Sequence, residues 1–254
     1  MARVLITGST DGLGRALAGE LARRDHDVVV HGRSRDRVAA TARAVGAAGA
    51  HVADFARLDD VRALAGDADG VDVLVNNAGM ISRERRLSED GIELTFQINH
   101  LAGFLLTLLM LPARTVNVAS IGQRAPDFDD LMLERGYEGF RAYAQSKLCQ
   151  IMFTFELAER RPDLAVNALH PATLMDTKLV RETFGASRST VAEGVEATAA
   201  LVERDNVSGR YFDGRRETRA DRTAYDRAAR RRLWDVSAEL TSAPPLAPGS
   251  AVSG

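Results

Sequence analysis

The chain of 254 residues is predicted to form a single α/β domain, with a doubly wound parallel sheet of about seven strands and helices on both faces. Three observations support this prediction. Short β-branched runs alternate with helical patterns through the first 170 residues, a glycine-rich turn follows the first run, and the length with 45% hydrophobic content suits one buried core. Parallel strands need crossover connections, so this alternation predicts βαβ units.

The elements follow from the spacing of apolar residues and from turn and capping residues between the runs. The predicted strands are Arg3–Thr7, Asp27–His31, Ala50–Ala53, Val71–Asn76, Thr115–Ala119, Ala165–His170 and Arg210–Phe212. The predicted helices are Gly12–Arg24, Arg35–Val45, Leu58–Ala65, Gly91–Leu111 and Arg141–Arg160. Between the sixth and seventh strands, Thr173–Glu203 breaks the alternation, and we expect a mobile segment over the edge of the active site. The domain is expected to span residues 1–242, followed by a disordered tail at 243–254 that is rich in Ala, Pro, Gly and Ser.

Composition limits the partners and the compartment. A formal charge of -2 and a pI near 6.2 give no indication of a nucleic-acid or anionic-membrane partner. The single cysteine, Cys149, excludes an internal disulfide and a zinc cluster, which favours a reducing cytoplasm and predicts no metal site. No secretory segment is visible, and the longest apolar stretch, Leu101–Pro112, is far shorter than the roughly 20 residues that span a bilayer. We therefore expect a cytoplasmic protein without a membrane segment.

A glycine-rich turn follows the first predicted strand and opens the first predicted helix. Its residues are Gly8, Ser9, Thr10, Asp11, Gly12, Leu13 and Gly14. The backbone amides at such a helix start can bind a pyrophosphate, so the turn predicts a dinucleotide site. Glycine spacing alone is weak evidence, and an ordinary tight turn between strand and helix is the alternative.

The second strand ends at the place where a dinucleotide fold reads the adenosine ribose. Arg33 offers a bidentate fork to a 2'-phosphate, and Ser34 adds a further donor. An acid at this position would instead bond the 2'-hydroxyl and repel a phosphate. NADP(H) is therefore predicted over NAD(H), the alternative being that Arg33 is a solvated charge at the start of the next helix.

A small-residue run, Asn76-Asn77-Ala78-Gly79, follows the apolar fourth strand. It lies at the carboxyl edge of the sheet, where ligands bind in open α/β folds, and its small side chains let a cofactor approach the backbone. An Asn- and Gly-rich turn without a ligand is an equally good reading of this run alone.

Three polar residues carry the strongest indication of catalysis. Ser120 ends the fifth strand, and Tyr143 and Lys147 lie four residues apart on one face of the next helix. A phenol has a pKa near 10, so a nearby cation is needed for it to exchange a proton near neutral pH, and Lys147 can supply that cation. The alternative is a partly buried tyrosine that pairs with a surface lysine.

In identity, order and spacing these residues resemble the short-chain dehydrogenase/reductase family, over almost the whole chain. The resemblance implies a Rossmann-type fold in which Gly8, Gly12 and Gly14 hold the cofactor, Asn77, Ala78 and Gly79 steady the central sheet beside it, and Ser120, Tyr143 and Lys147 catalyse. It also implies that Asn99 holds a proton-relay water and that Asp54, with Phe55 beside it, faces the adenine. Pro171 and Leu174 are the expected binding residues after the sixth strand.

Within the family, the runs around Asn99, Tyr143 and Val166 look most like the retinol-dehydrogenase-like branch, which acts on hydrophobic alcohols and carbonyls with NADP(H). One departure concerns the loop after the sixth strand. The family usually has Pro-Gly there, whereas this chain has Pro171-Ala172, and alanine does not accept a positive φ as glycine does. We therefore expect a different loop path beside the nicotinamide.

The predicted activity is hydride transfer between NADP(H) and a carbonyl/alcohol pair of a small, hydrophobic substrate. Two other readings keep the same scaffold: a redox sensor or scaffold that binds the dinucleotide without turnover, and an enzyme that epimerises or dehydrates a nucleotide sugar. The second usually needs a larger carboxyl-terminal region than this length allows. The two long apolar helices also predict a homo-oligomer, a dimer or tetramer, although packing on the sheet would produce the same pattern.

Overall fold

A computed structural model describes residues 1–176, 185 and 187–246 of the chain. Its centre is an eight-stranded sheet in the order β3-β2-β1-β4-β5-β6-β7-β8. The strands are β1 (Arg3–Ile6), β2 (Asp27–Gly32), β3 (Gly49–Val52), β4 (Val73–Asn76), β5 (Arg114–Val118), β6 (Ala165–His170), β7 (Arg210–Asp213) and β8 (Arg216–Thr218). Neighbouring strands are parallel except β7 and β8, which form an antiparallel hairpin. The doubly wound fold is confirmed, with eight strands in place of seven.

The helices lie between and after these strands. They are α1 (Gly12–Arg23), α2 (Arg35–Val45), α3 (Leu58–Asp67), α4 (Leu94–Phe96), α5 (Ala102–Met110), α6 (Gly139–Arg160), α7 (Val191–Val202) and α8 (Arg227–Thr241). A π-helical turn, Gln97–Leu101, joins α4 to α5, and a 3₁₀ turn, Arg222–Tyr225, precedes α8. The predicted helix Gly91–Leu111 therefore begins later, at Leu94, where Glu93 accepts hydrogen bonds from the Thr95 and Phe96 amides.

The predicted irregular segment Thr173–Glu203 is wrong over its second half, which forms α7. The Thr190 hydroxyl accepts a hydrogen bond from the Glu193 amide at the helix start, and one helix face, including Val195 and Val202, is buried against the sheet. Capping and apolar contact together stabilise this helix. Residues 177–184 and 186 of the segment lie outside the described residues, as do residues 247–254 of the predicted tail.

Side chains alternate between the two faces of the sheet, so each strand contributes to two cores. On β1, Leu5 joins the core beneath α3, α5 and α6, while Val4 and Ile6 join the core beneath α1 and α7. Helix α8 lies outside the first of these layers and packs on α5 and α6 through Trp234. Within the described residues, no helix is long and apolar enough to cross a bilayer.

The chain reverses direction along the sheet between β1 and β4, which are adjacent. Such a switch point leaves a crevice outside the carboxyl ends of the strands, where ligands of this architecture bind. The segments that follow β1, β4, β5 and β6 carry Gly8, Asn77, Ser120 and Pro171. The topology thus brings these four segments to one edge of the sheet.

Candidate active site

The glycine-rich turn lies tightly against the Asn77–Gly79 segment. Gly8 has a φ of 64°, and a Cβ built there would lie 2.9 Å from the Ala78 Cα. A Cβ on Gly14 would lie 2.5 Å from the Gly8 carbonyl oxygen. Any side chain at these two positions would push the turn away from the sheet, so both glycines are required for its path.

Hydrogen bonds hold this turn on the side of β4. The Thr7 hydroxyl accepts from the amides of Asn77 and Ala78, each at 3.0 Å. The Asn77 side-chain amide donates to the carbonyls of Thr7 at 2.8 Å and Gly8 at 3.2 Å. Asn77 therefore braces the turn that leads into α1, a helix whose first amides have no acceptor within the helix itself.

Ser9 is fully buried, and its hydroxyl bonds to the backbone of His31 on β2. It can therefore contribute only backbone atoms to a ligand. At the helix start, the Asp11 carboxylate accepts from the Gly12 amide at 2.8 Å and forms an ion pair with Arg37. Thr10 contributes its carbonyl oxygen, which accepts from Arg37 at 3.1 Å.

The end of β2 presents a basic surface next to this turn. Arg33 is exposed, and Ser34 lies at the amino end of α2. Arg37, one turn into α2, places its guanidinium between Thr10 and Asp11 of the turn. Our sequence reasoning did not identify Arg37, because its contacts with Thr10 and Asp11 depend on how α2 packs beside the turn.

The residues after β3 are mostly engaged within the protein. The Asp54 carboxylate accepts from the Ala56 amide at 3.0 Å. Phe55 is buried and stacks on the His31 ring, with 4.6 Å between the ring centroids. Phe55 is therefore a core side chain that supports this edge, and Asp54 is the residue of the two that stays partly exposed.

The catalytic candidates meet at the carboxyl end of β5. The Lys147 Nζ lies 5.6 Å from the centre of the Tyr143 ring, and the Ser120 side chain is close enough to the Tyr143 phenol to lower its pKa. A Cβ on Gly79 would lie 3.4 Å from both Lys147 Nζ and Asn99 Oδ1. The structure thus brings Ser120, Tyr143 and Lys147 together, beside the Asn77–Gly79 segment.

Lys147 is buried and held by two acceptors. Its ammonium donates to the Val118 carbonyl at 2.8 Å and to the Gln150 side-chain oxygen at 2.9 Å. An ammonium has three protons, so one donor direction is left for a ligand. Gln150, which sequence reasoning missed, lies almost one turn further along α6 and aims the lysine towards the crevice.

Three hydrogen bonds from other residues hold Ser120 in place. The Ser120 carbonyl accepts from the Tyr211 hydroxyl at 3.0 Å and from the Gln123 side-chain amide at 3.0 Å, and its hydroxyl accepts from the Gly122 amide at 3.1 Å. Tyr211 comes from β7, about 90 residues along the chain. Such a long-range contact has no local signal in the sequence.

The Asn99 side chain ties the π-helical turn to two other segments. Its Oδ1 accepts from the Met80 amide at 2.8 Å, and its Nδ2 donates to the Met80 carbonyl at 3.0 Å and to the Ser146 hydroxyl at 2.9 Å. These bonds use both protons of the side-chain amide, so a relay water at this residue would have to donate to an oxygen, either Oδ1 or the main-chain carbonyl. π-helical turns often occur at functional sites because they alter the helical hydrogen-bond pattern.

The loop after β6 avoids the strain expected at Ala172. The left-handed position falls two residues later, at Leu174, with a φ of 47°. Pro171 is buried, and its Cβ would lie 3.5 Å from a Cβ on Gly194 of α7. Leu174 is half-buried beside the His170–Thr173 hydrogen bond, so the loop turns at a residue other than the usual glycine position.

Burial affects both titratable groups of the catalytic pair. It raises the pKa of the Tyr143 phenol, an effect that the hydrogen bond with Ser120 opposes. It lowers the pKa of the Lys147 ammonium to about 7. Desolvation thus disfavours either charge alone, while a phenolate and an ammonium formed together would stabilise each other.

Comparison with known proteins identifies the class to which this fold and site belong. The family model for short chain dehydrogenases matches residues 2–187. The chain therefore belongs to the short-chain dehydrogenase/reductase family, whose members bind a nicotinamide dinucleotide.

Relatives agree with the expected branch. Human retinol dehydrogenase 13 is 34% identical, with 93% of this chain and 83% of the relative covered. Mouse polyprenol dehydrogenase is 33% identical over 94% of this chain and 83% of the relative. The crystal structure of an uncharacterised protein from Mycobacterium paratuberculosis superposes with a TM-score of 0.85 at 31% identity, covering 97% and 96% of the two chains.

Proposed function

We propose that this protein is an NADP(H)-dependent oxidoreductase that interconverts a carbonyl and an alcohol, with Tyr143 as the proton donor and acceptor. The observation that carries the proposal is the placement of the Lys147 ammonium 5.6 Å from the centre of the Tyr143 ring, with the Ser120 side chain beside the phenol. A structural tyrosine would not need a second hydroxyl and a buried cation beside it.

The crevice fits a dinucleotide. Glycines at 8, 14 and 79 keep the backbone accessible where side chains would crowd it, and α1 directs its first amides to the same place. The Lys147 ammonium lies 3.4 Å from where a Cβ on Gly79 would be, and its third proton suits a ribose hydroxyl. When bound, the nicotinamide supplies or accepts the hydride.

The protein's own residues handle the proton and the substrate oxygen. In the reductive direction, Tyr143 gives its hydroxyl proton to the carbonyl oxygen, which Ser120 orients by a hydrogen bond. A protonated Lys147 then lowers the free energy of the phenolate that forms. An oxygen of Asn99, either Oδ1 or the main-chain carbonyl, would hold the water that returns a proton.

The first test removes the hydroxyl of Tyr143. We expect Tyr143→Phe to lower kcat at least 1,000-fold, within the order of magnitude that acid-base catalysis provides, while NADPH binding stays within about twofold. NADPH absorbance would measure turnover, and NADPH fluorescence would measure binding. Tyr225→Phe, which removes a half-exposed hydroxyl elsewhere, serves as the control. Near-normal turnover of Tyr143→Phe would overturn the proposed role.

The preference for NADP(H) is proposed to depend on two arginines. Arg33 and Arg37 flank the place next to the glycine-rich turn where the adenosine ribose would lie. We expect Arg33→Ala and Arg37→Ala each to lower kcat/KM for NADPH at least tenfold, because the 2'-phosphate loses a guanidinium partner. The kcat/KM for NADH should stay nearly unchanged, because NADH has no 2'-phosphate. Arg43→Ala, an exposed arginine on the same helix, is the control. An unchanged NADPH/NADH ratio in both variants would refute this assignment.

A hydrophobic substrate is favoured by the surface around the catalytic hydroxyls. Ile121, next to Ser120, is 59% exposed, and Phe140, whose ring centre lies 6.3 Å from that of Tyr143, is 43% exposed. The names of two relatives refer to retinol and polyprenol, both hydrophobic alcohols. A panel of ketones, aldehydes and quinones of increasing apolar size, followed by NADPH absorbance, would test this. NADPH binding without consumption of any member would favour a redox sensor.

A further inference from the structure

His31 occupies a central position beneath the proposed cofactor site. It lies near the carboxyl end of β2 and is 3% exposed. Its Nδ1 lies 3.1 Å from the Gly8 amide nitrogen, and its Nε2 lies 3.1 Å from the Ala53 carbonyl oxygen. Its ring stacks on Phe55 at an interplanar angle of 23°. One side chain thus bridges the glycine-rich turn and the end of β3.

The two partners determine the protonation state of this imidazole. A backbone amide can only donate, so Nδ1 must be the acceptor from Gly8. A carbonyl oxygen can only accept, so Nε2 must carry the proton that goes to Ala53. Burial lowers the pKa of His31 to about 4, which keeps the ring neutral at physiological pH. A proton on Nδ1 would face the Gly8 amide and break the bridge.

A second set of bonds holds the backbone of the same residue. The Ser9 amide donates to the His31 carbonyl at 2.9 Å, and the His31 amide donates to the Ser9 hydroxyl at 2.8 Å. These bonds join the turn to β2 but do not reach β3. The Ala53 amide also donates to the Gly32 carbonyl at 3.2 Å, so backbone bonds join β2 to Ala53. The imidazole adds a direct side-chain link between the Gly8 amide of the turn and the Ala53 carbonyl, next to Asp54.

The three connected segments are those that would receive the pyrophosphate and the adenosine end of a dinucleotide. The turn would receive the pyrophosphate, Arg33 follows the end of β2, and Asp54 follows Ala53. Since the distance between these groups must match the ligand, a rigid spacer between them reduces the cost of ordering the site on binding.

We propose that His31 is a positioning residue for the nucleotide cofactor, which sets the distance between the glycine-rich turn and the adenosine-binding end of the sheet. This inference rests on the proposed function, since it needs a dinucleotide in the crevice. His31 is buried behind the turn and does not touch the reacting groups, so it acts on affinity and not on the chemical step.

Two variants separate the hydrogen bonds from the volume. His31→Leu keeps much of the volume but leaves the Gly8 amide and the Ala53 carbonyl without partners. His31→Asn places a side-chain oxygen near the position of Nδ1 and so retains the acceptor for Gly8. Val28→Ala creates a cavity on the same strand, away from the turn, and so controls for a general loss of stability.

NADPH affinity by fluorescence titration, together with steady-state kinetics, tests the proposal. We expect His31→Leu to raise the Kd for NADPH about tenfold or more, because buried partners are left unpaired, and His31→Asn to recover part of this loss. At saturating NADPH, kcat and the KM for the carbonyl should stay within about twofold. Val28→Ala should leave the Kd unchanged.

Each outcome has a distinct meaning. If the wild type binds NADPH and His31→Leu has the same Kd, the inference about His31 is overturned and the proposed function stands. An equal rise in the Kd of Val28→Ala would overturn the inference in the same way. Should His31→Leu fail to fold, a Kd for His31→Asn equal to that of the wild type would also overturn it, since that variant still loses Ala53. A wild-type chain that binds neither NADPH nor NADH would overturn the proposed function as well.

Discussion

At the residue scale, we expect two buried, neutral histidines to lower the stability of the fold in acid. Besides His31, His100 is buried among Phe96, Phe104 and Phe153, with its Nε2 2.9 Å from the Ser237 hydroxyl. Burial lowers the pKa of His100 to about 3. In the unfolded chain the pKa of both histidines is near 6.5, so the unfolded state takes up protons first as the pH falls.

The sign of the resulting pH dependence follows directly. Above pH 6.5 both histidines are neutral in the folded and the unfolded state, so they do not change the free energy of unfolding. Between pH 6.5 and about 4, each lowers the free energy of unfolding by about 1.4 kcal/mol per pH unit. Urea denaturation should therefore give a lower free energy of unfolding at pH 6 than at pH 7.5, and a lower one still at pH 5. His100→Phe should reduce the slope of this free energy against pH. An identical slope in the variant would contradict the assignment of His100 as neutral.

At the residue scale, the sequence predicted what depends on local spacing. Tyr143 and Lys147 could be paired because four residues on a helix bring two side chains to one face. His31, Arg37 and Tyr211 could not, because their contacts depend on how distant strands and helices pack. The predicted roles of the site residues stay predictions until the variants are measured.

At the scale of elements, α8 depends strongly on Trp234. The indole packs against Phe104 and Phe153, with ring centroids 5.2 and 6.0 Å away, and Arg160 lies over it at 4.3 Å. We expect Trp234→Ala to lower the free energy of unfolding by about 3–5 kcal/mol, as for other large core aromatics. Denaturant unfolding would measure this loss.

Arg231→Ala, on the exposed side of the same helix, is the matched control and should change stability by no more than about 0.5 kcal/mol. A similar small effect for Trp234→Ala would mean that α8 contributes little to the fold.

Sequence patterns identified the seven parallel strands and missed two elements at the border of the core, β8 and α8, as well as α7, which packs against the sheet. The seven parallel strands are short apolar runs, whereas β8 has three polar residues, Arg-Glu-Thr. Helix α8 begins Arg-Ala-Ala-Arg-Arg-Arg, and its narrow apolar stripe is hidden among charges. The π-helical turn differs only in its hydrogen bonds, for which residue types give no indication.

At the scale of the whole molecule, α8 changes the reason for expecting a homo-oligomer. The apolar faces of α5 and α6 that motivated that prediction are in contact with α8 of the same chain, through Trp234 and through the buried pair Glu156–Arg230 at 3.2 Å. Packing within one chain is therefore enough to explain both apolar stripes. Association itself stays a prediction that the structure does not test.

Sedimentation velocity would show whether copies of the chain associate, and cross-linking would show through which faces. Because α8 covers α5 and α6, we expect any dimer or tetramer of the 27.5 kDa chain to form through other faces. A dimer whose cross-links join α5 or α6 of the two copies would show that α8 moves aside in solution. A dimer joined through another face would keep the association and discard its predicted location.

Helix α6 carries Tyr143 and Lys147 near its amino end and the contacts with α8 near its carboxyl end. A helix of 22 residues extends about 33 Å and resists bending, so an axial shift at one end is felt at the other. The packing of α8 on the far end of α6 therefore restricts where Tyr143 lies along the helix axis. A change at this packing surface is expected to shift Tyr143, although the two sites do not touch.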